Sequence, residues 1–589
     1  MAKFDSRQQV LQRSIISRVG SLSRRDVLKK GMVLGAGGTA FASLLAACGG
    51  KSGTATTSSS GGGATSVPSA ASTSGSTATG TLADKQVIRL PEGEPTSFDP
   101  GVTSGGWGLE QLQNLFEGLI GIDQRTGDVE MLMAEKMEAN ADASEFTFTV
   151  RDGMKWSDGS PLTAKDFEYS WKRVLTPTTK SNYTSALLPL KNSKEIISGS
   201  GSIDTLGVSA VDDKTLKATL IGPTPYFPLL AATWTYFPVP KATIDKFSDK
   251  WVEGGNMVSN GPYVLTNWKH DQSMALDQNP NYWGTKPTIT HADYTIFSDP
   301  VAQALVSFEN DEVDQAQVIG ADLQRAKGDA TLSKLVQVFP RSGTAFISCD
   351  CSNAPTSDVK VRQALSMVIA RKTLADNILK GEFTAAPSLL PADIPGNDPS
   401  AALGEDTAKA KDLLAQAGFK DGAGFPPLTL TYNSSSVTDK NVAEYLQNVW
   451  KENLGVSVEL QPMEPQAFSD WRVARKTQPY GMYLSIWGSD WADPANWHNQ
   501  LFASDADFYF THWKNDQFDQ LVTAARPMTD KAKRTAQYQQ AEKIINTEQP
   551  IIPMYHLNRI FVIKPYVKGI IHYPILGRTY LKYVQIEQH

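Results

Sequence analysis

The chain has 589 residues, of which 41 % are hydrophobic and 20 % charged, and its formal net charge is −6. That length exceeds what one hydrophobic core organises, so two or three lobes are expected. Residues 1–47 hold eight Lys/Arg and two Asp, which leaves the remainder at a formal −12 with no basic run, and this argues against a nucleic-acid-binding surface.

The first segment reads as an export leader. Ser23, Arg24, Arg25, Asp26, Val27, Leu28 and Lys29 resemble a twin-arginine signal, and a Gly/Ala-rich apolar run follows from Met32 to Ala47. The run is shorter than the roughly 20 apolar residues of a membrane span. It ends in Leu45, Ala46, Ala47 and Cys48, similar to the lipobox of bacterial lipoproteins. That resemblance implies removal of residues 1–47 and lipidation of the Cys48 thiol. Residues 48–83 are small and polar after the cysteine, cannot bury enough apolar area to fold, and read as a tether with a root-mean-square span of about 30 Å.

The globular part opens with "SEFTFTVRDG", where Phe146, Phe148 and Val150 alternate into an Asp-Gly turn, the pattern of a hairpin. "TAKDFEYSWKRV" then predicts a helix, with a capping box from Thr163 to Asp166 and Phe167, Trp171 and Val174 on one face. Cys349 and Cys351, two apart with no nearby histidine, fit neither a comfortable disulfide nor a zinc site and read as small core or edge residues. Val361, Ala364, Leu365, Val368 and Ile369 form the inward stripe of another helix.

Residues 428–487 carry the most information. "LTLTY" reads as a strand, "NVAEYLQNVWKENLG" as a helix that turns Val442, Tyr445, Leu446, Val449 and Trp450 inward and ends at Gly455, and "VSVEL" as a second strand parallel to the first. "GMYLSIW" makes a third. Ligands of open α/β sheets collect outside the carboxyl ends of the strands. Two loops leave such ends, one beginning at Asn433 and the other, "GSDWADP", after Trp487. The second is acidic and lined with tryptophan, with Asp493 expected toward its rim and His498 at the pocket edge. The seven histidines show no metalloprotease spacing, and there is no G-x-S-x-G elbow or Walker loop, so neither catalytic residues nor a metal or cofactor are expected.

Segments spread over 84–589, among them "SFDP" (97–100), "NLFEGLI" (114–120), "RDGMKWSDGSPLTAKDFEYSWKRV" (151–174), "SNGPYVLTNW" (259–268), "NPNYW" (279–283), "VRQALSMVIAR" (361–371), "LTLTYN" (428–433) and "IWGSDWADP" (486–494), resemble the oligopeptide-binding lipoproteins that feed ATP-driven peptide importers. The resemblance implies an α/β, two-lobed clamshell of the periplasmic-binding-protein kind (type II) with an additional inserted α/β domain. Lobe I would comprise 84–128, 255–342 and 557–589, the inserted domain 129–254, and lobe II 343–556. It implies an extracytoplasmic, monomeric receptor that pairs an extended oligopeptide with its own strands and delivers it to the permease subunits of an ABC transporter. By position, Asp490 matches the aspartate that holds the peptide's α-ammonium, flanked by Trp487, Gly488, Ser489 and Trp491. Ser104, Gly106 and Trp107 match the edge segment that bonds the peptide backbone from the opposite lobe, and Arg472 matches a cleft arginine. Asn433 and Tyr555 complete the candidate set.

The chain departs from relatives that prefer short peptides at Leu484 and Thr438, where those carry basic residues, and this favours longer or length-tolerant ligands. The alternatives are another solute on the same scaffold, such as a nickel complex, haem or a sugar, or a peptide-signal receptor. A lipid-tethered adhesion or chaperone module, and an enzyme, are the rivals of a different class.

Overall fold

The computed structural model describes residues 80–103, 107–506, 508, 510–575, 577 and 579–589. The export leader, Cys48, the tether, Ser104 and Gly106 lie outside the described residues. The chain forms a two-lobed α/β clamshell with an inserted α/β domain, built on three larger sheets. In the first, Val87–Gly93 pairs in parallel with His291–Phe297, and Ser273–Gln278 and Tyr263–Lys269 follow antiparallel. Between its first strand and the rest the chain makes the hairpin Ile120–Ile122/Val129–Met131 and a second, antiparallel sheet in the order Ala134–Ala139, Glu145–Val150, Thr215–Thr219, Val208–Ala210.

The alternation of Phe146, Phe148 and Val150 does produce a half-buried strand. It does not produce a hairpin through the Asp152–Gly153 turn. The strand pairs instead with Ala134–Ala139 and with Thr215–Thr219, more than 60 residues downstream. The predicted helix is Ala164–Leu175, entered as expected: the Asp166 carboxylate accepts the Thr163 N–H at 2.8 Å, and Phe167, Trp171 and Val174 are buried. Cys349 and Cys351 are both free, the first buried at the end of a strand.

The third sheet runs in the order Gln315–Gln317, Ile551–Ile563, Val336–Cys349, Met482–Gly488, Leu428–Asn433, Val458–Met463, with Thr384–Ala385 added beside Ile551–Ile563. Leu428–Asn433 and Val458–Met463 are parallel, joined by the helix Val437–Leu454, whose Gly455 cap takes a left-handed φ of 68°. Met482–Gly488 is parallel to Leu428–Asn433 as well, so all three strands end at one edge. Two strands of the sheet are long, Val336–Cys349 with 14 residues and Ile551–Ile563 with 13. They pair antiparallel, and the register shifts between Pro340 and Thr344. On one side of that shift Phe339 and Phe561 pack with the core of the first two sheets; on the other Ala345, Ile347 and Ile552 belong to the core beneath the parallel strands.

The helix Val437–Leu454 fixes the position of those strand ends, and Trp450 is its deepest anchor, fully buried with its indole N–H donated to the Leu365 carbonyl at 2.9 Å. Trp450→Ala removes the ring and leaves that carbonyl unpaired, and is expected to destabilise the surrounding lobe by about 3 to 5 kcal/mol, measured by urea unfolding.

Candidate functional site

The parallel strands bring two loops to one edge of the sheet. In the first, Asn433 closes its own turn: its side-chain oxygen accepts the Ser435 N–H at 3.1 Å and the Ser435 hydroxyl at 3.0 Å. The second loop follows Gly488 and is held from within. The Ser489 hydroxyl is buried, bonded to Ser342 at 2.7 Å and receiving the Trp497 indole N–H at 2.9 Å. The Trp487 indole donates to the Asn496 carbonyl at 3.0 Å, and the Asp490 N–H donates to the Asn496 side-chain oxygen at 2.9 Å.

These bonds set the loop so that the Asp490 carboxylate faces the space between the lobes, where it interacts with the buried Tyr183 side chain. Tyr183 is buried and stacks on Trp234 with ring centroids 5.4 Å apart. No cation pairs with Asp490 among the described residues, and burial pushes its carboxyl up to about 6. Beside it Trp491 stacks on Tyr226 at 6.4 Å with an interplanar angle of 4°, and its buried indole N–H has no hydrogen-bond partner. Asp490 and Trp491 form one wall of a cavity whose other walls include Gln124, Glu130, Trp234 and Tyr580.

Two acidic-loop expectations are corrected. Asp493 is not at an exposed rim: it is 4 % exposed and grips the Arg534 guanidinium with both oxygens, at 2.5 and 2.8 Å. His498 is not at a pocket edge. It is fully buried, with Nδ1 at 3.1 Å from the Pro494 carbonyl and Nε2 at 2.9 Å from Glu542, whose other oxygen accepts the Leu389 and Leu390 N–H groups.

Among the described residues none of the remaining candidates bonds to Asp490. The buried Arg472 guanidinium lies 5.6 to 6.0 Å from the rings of Tyr483, Phe468 and Phe510, with Nε and Nη1 unpartnered. Near it Asp439 is pushed up to about 6 by burial. Tyr555 is in the core, its ring 4.6 Å from Phe383. Gly488 ends its strand opposite Gly343. Trp107 packs flat on Gly93, where its ring fills the space a Cβ would need, and it lines a second, smaller cavity with Glu92, Gln111 and Tyr294. Tyr183 is the site residue that sequence reading missed; it lies about 300 positions from Asp490 and no local pattern marks it. Among the described residues no group of three His, Cys, Asp or Glu is placed to hold a metal ion, and no helix is long and apolar enough to cross a membrane.

Comparison with known proteins gives a consistent result. Residues 128–509 match the model for bacterial extracellular solute-binding proteins, family 5. The chain is 33 % identical to a probable deoxycholate-binding periplasmic protein of Escherichia coli, over 86 % of this chain and 95 % of that protein. It is also 33 % identical to an oligopeptide-binding protein of Bacillus subtilis, over 83 % and 90 % of the two chains. Among solved structures it is similar to a periplasmic murein tripeptide-binding protein in its unliganded open form, with a TM-score of 0.78, 31 % identity, and coverage of 87 % of this chain and 99 % of the other.

The raised Asp490 carboxyl has a consequence for stability. Between about pH 4 and its folded value the native protein keeps a proton that the unfolded chain has already released, so native stability falls as pH rises through that window. Asp490→Asn removes this penalty. The ligand-free variant is expected to be more stable than wild type above about pH 7, by about 1 to 3 kcal/mol, and equal to it below about pH 4, as read from unfolding curves at both pH values.

Proposed function

The chain belongs to the bacterial extracellular solute-binding proteins, family 5, a family of binding receptors rather than enzymes, and from that premise we propose that it captures oligopeptides and delivers them to an ABC importer. The observation that carries the proposal is the enclosed Asp490 carboxylate without a cation, at the carboxyl ends of parallel strands and facing a cavity between the lobes. In that role the carboxylate receives the peptide's α-ammonium, with Tyr183 and Asn496 fixing its orientation and Trp487 and Trp491 excluding water. The segment Ser104, Gly106 and Trp107 and the strand end at Gly488 and Ser489 are proposed to approach the peptide backbone from opposite sides, with Asn433, Arg472 and Tyr555 as more distant supports. Lobe I is proposed as 84–128, 255–342 and 557–589, the inserted domain as 129–254 and lobe II as 343–556. Both boundaries between lobes I and II then fall within the two long strands, close to their register shift.

Charge favours a peptide over a bile acid, the ligand in the name of one relative. Deoxycholate carries a carboxylate, and Asp490, Glu130 and Glu117 already line the cavity; a further anion there would be repelled. A zwitterion that leads with its ammonium is not.

Two experiments test the reading. Asp490→Asn keeps the shape and deletes the charge, and is expected to weaken binding of a free-amino peptide by about 2 to 5 kcal/mol, roughly 30-fold to several thousand-fold. Acetylating the peptide's amino end should reproduce that loss in wild type and add little in the variant; additive losses in a calorimetric cycle would separate Asp490 from the ammonium. The receptor is further proposed to work as a monomer tethered by lipid on Cys48, supported by the arginine pair, the "LAAC" sequence and the polar segment in succession. Cys48→Ala is expected to move the protein from the membrane to the soluble fraction on cell fractionation, and an unchanged membrane fraction would refute the anchor.

A further inference from the structure

The cavity beside Asp490 carries more negative charge than one α-ammonium answers. Three carboxylates, those of Glu117, Glu130 and Asp490, belong to residues in its wall. Among the described residues one cation stands against them, Lys582, whose Nζ lies 3.5 Å from Glu117 Oε1. The neighbouring Arg125 is taken: it pairs with Asp123 at 2.6 Å and lies over the Tyr583 ring. Glu117 is fully engaged, accepting the Tyr282 hydroxyl at 2.6 Å and the Trp283 indole N–H at 2.7 Å.

Glu130 differs from Glu117. It is half-buried, its carboxylate forms no hydrogen bond or ion pair among the described residues, and burial raises that carboxyl above the usual carboxylate range. Gln124 supplies an independent sign. It is 8 % exposed and lines the same cavity. Its amide nitrogen donates to Gln113 Oε1 at 2.5 Å, which commits that end and leaves its own buried Oε1 with no partner. A buried acceptor without a donor is destabilising, and a donor brought by a ligand relieves it. Much of the remaining wall is aromatic, including Phe116, Trp234, Phe237, Tyr573 and Tyr580.

We infer that this cavity is a subsite for a cationic side chain and takes the Lys or Arg side chain of a peptide's first residue, while the α-ammonium of that residue sits on Asp490. The inference rests on the peptide reading above and deepens it to a ligand class. Among the described residues, three carboxylates against Lys582 leave two negative charges, and a peptide that begins with a basic residue brings two positive ones. Glu130 and Gln124 Oε1 are acceptors for the side-chain cation. The aromatic faces pack its methylene stem and attract the charge through their π-systems. An apolar first side chain would fill the same volume and leave both acceptors unmet.

Calorimetric titration of three peptides, Lys-Ala-Ala, norleucine-Ala-Ala and Ala-Ala-Ala, into wild type, Glu130→Gln and Gln124→Leu decides the matter. Norleucine keeps the stem of lysine and lacks its charge. Wild type is expected to bind the lysine peptide at least about tenfold more tightly than the norleucine peptide, and that ratio should fall below about threefold in Glu130→Gln and fall part of the way in Gln124→Leu. Should Glu130→Gln fail to fold, as judged by its melting curve, the ratio in Gln124→Leu carries the test alone. If wild type binds the peptides with no preference for lysine, the cation subsite is overturned and the peptide reading stands. A preference that survives intact in the folded variants overturns the assignment to Glu130 and Gln124. If none of the three peptides binds, the peptide reading fails and the subsite fails with it.

Discussion

A carboxylate partly withdrawn from water, with no cation beside it among the described residues, is the constraint around which this site is organised. Taking an ionised carboxylate into a protein interior costs on the order of several kcal/mol unless hydrogen bonds and a counter-charge offset it. Asp490 has polar neighbours in the Tyr183 hydroxyl and in the Asn496 side chain, whose oxygen accepts the Asp490 N–H, and among the described residues it lacks the counter-charge. The loop that carries it is correspondingly stiff: Ser489, Asn496 and Trp497 tie it to itself, Asp493 ties it to Arg534, and His498 ties it to Glu542. Without those bonds the carboxylate would turn to water and recover its hydration. The stability given up in the ligand-free protein is then available to whatever supplies a positive charge, which is how a binding site gains affinity from preorganisation.

The same carboxylate explains why the two long strands matter. Tyr183 and Tyr226, in the segment between the first-sheet strands, reach Asp490 and Trp491 beyond the third sheet, so the ligand space lies between bodies with separate cores. Val336–Cys349 and Ile551–Ile563 run through both bodies as one antiparallel pair. A continuous ladder resists bending. The register shift between Pro340 and Thr344 interrupts it, where the Ser342 N–H turns to the Pro574 carbonyl and the Ser342 carbonyl accepts the Ser489 N–H. A bend at that point would change the separation of the lobes, and the Ser489 bond to Ser342 keeps the Asp490 loop attached to the strand there.

How much of this was legible in the sequence depends on the distance over which each contact is made. The unit 428–488 was readable because its information is local: the stripe from Val442 to Trp450, the glycine cap at Gly455 and the short strands either side follow from neighbouring residues. The strand at Phe146–Val150 was readable and its partners were not, since Phe146 pairs with Ala218 and no turn joins them. Asp493 and His498 looked like exposed charge for the same reason. Their partners, Arg534 and Glu542, come from the helix Lys531–Glu548, 41 and 44 positions away, and without them a carboxylate and an imidazole belong in water. Composition identified the loop as acidic and aromatic, and only the tertiary contacts show which of its two aspartates is left without a cation.

Arg472 makes the converse point about buried charge. Arg472 is buried, more so than the partly buried Asp490, and two of its guanidinium nitrogens lack hydrogen-bond partners. Yet it differs from Asp490 in having compensation in place. Three aromatic faces surround the cation, and the Asp439 carboxyl lies close enough to interact. Aromatic faces can stand in for water around a cation because the ring quadrupole presents negative potential. No equivalent exists for an anion, which needs donors or a counter-charge. A buried cation and a partly buried anion on one lobe therefore come to different ends: the cation is absorbed into the packing of Phe468, Tyr483 and Phe510, while the anion remains the group that a ligand must complete.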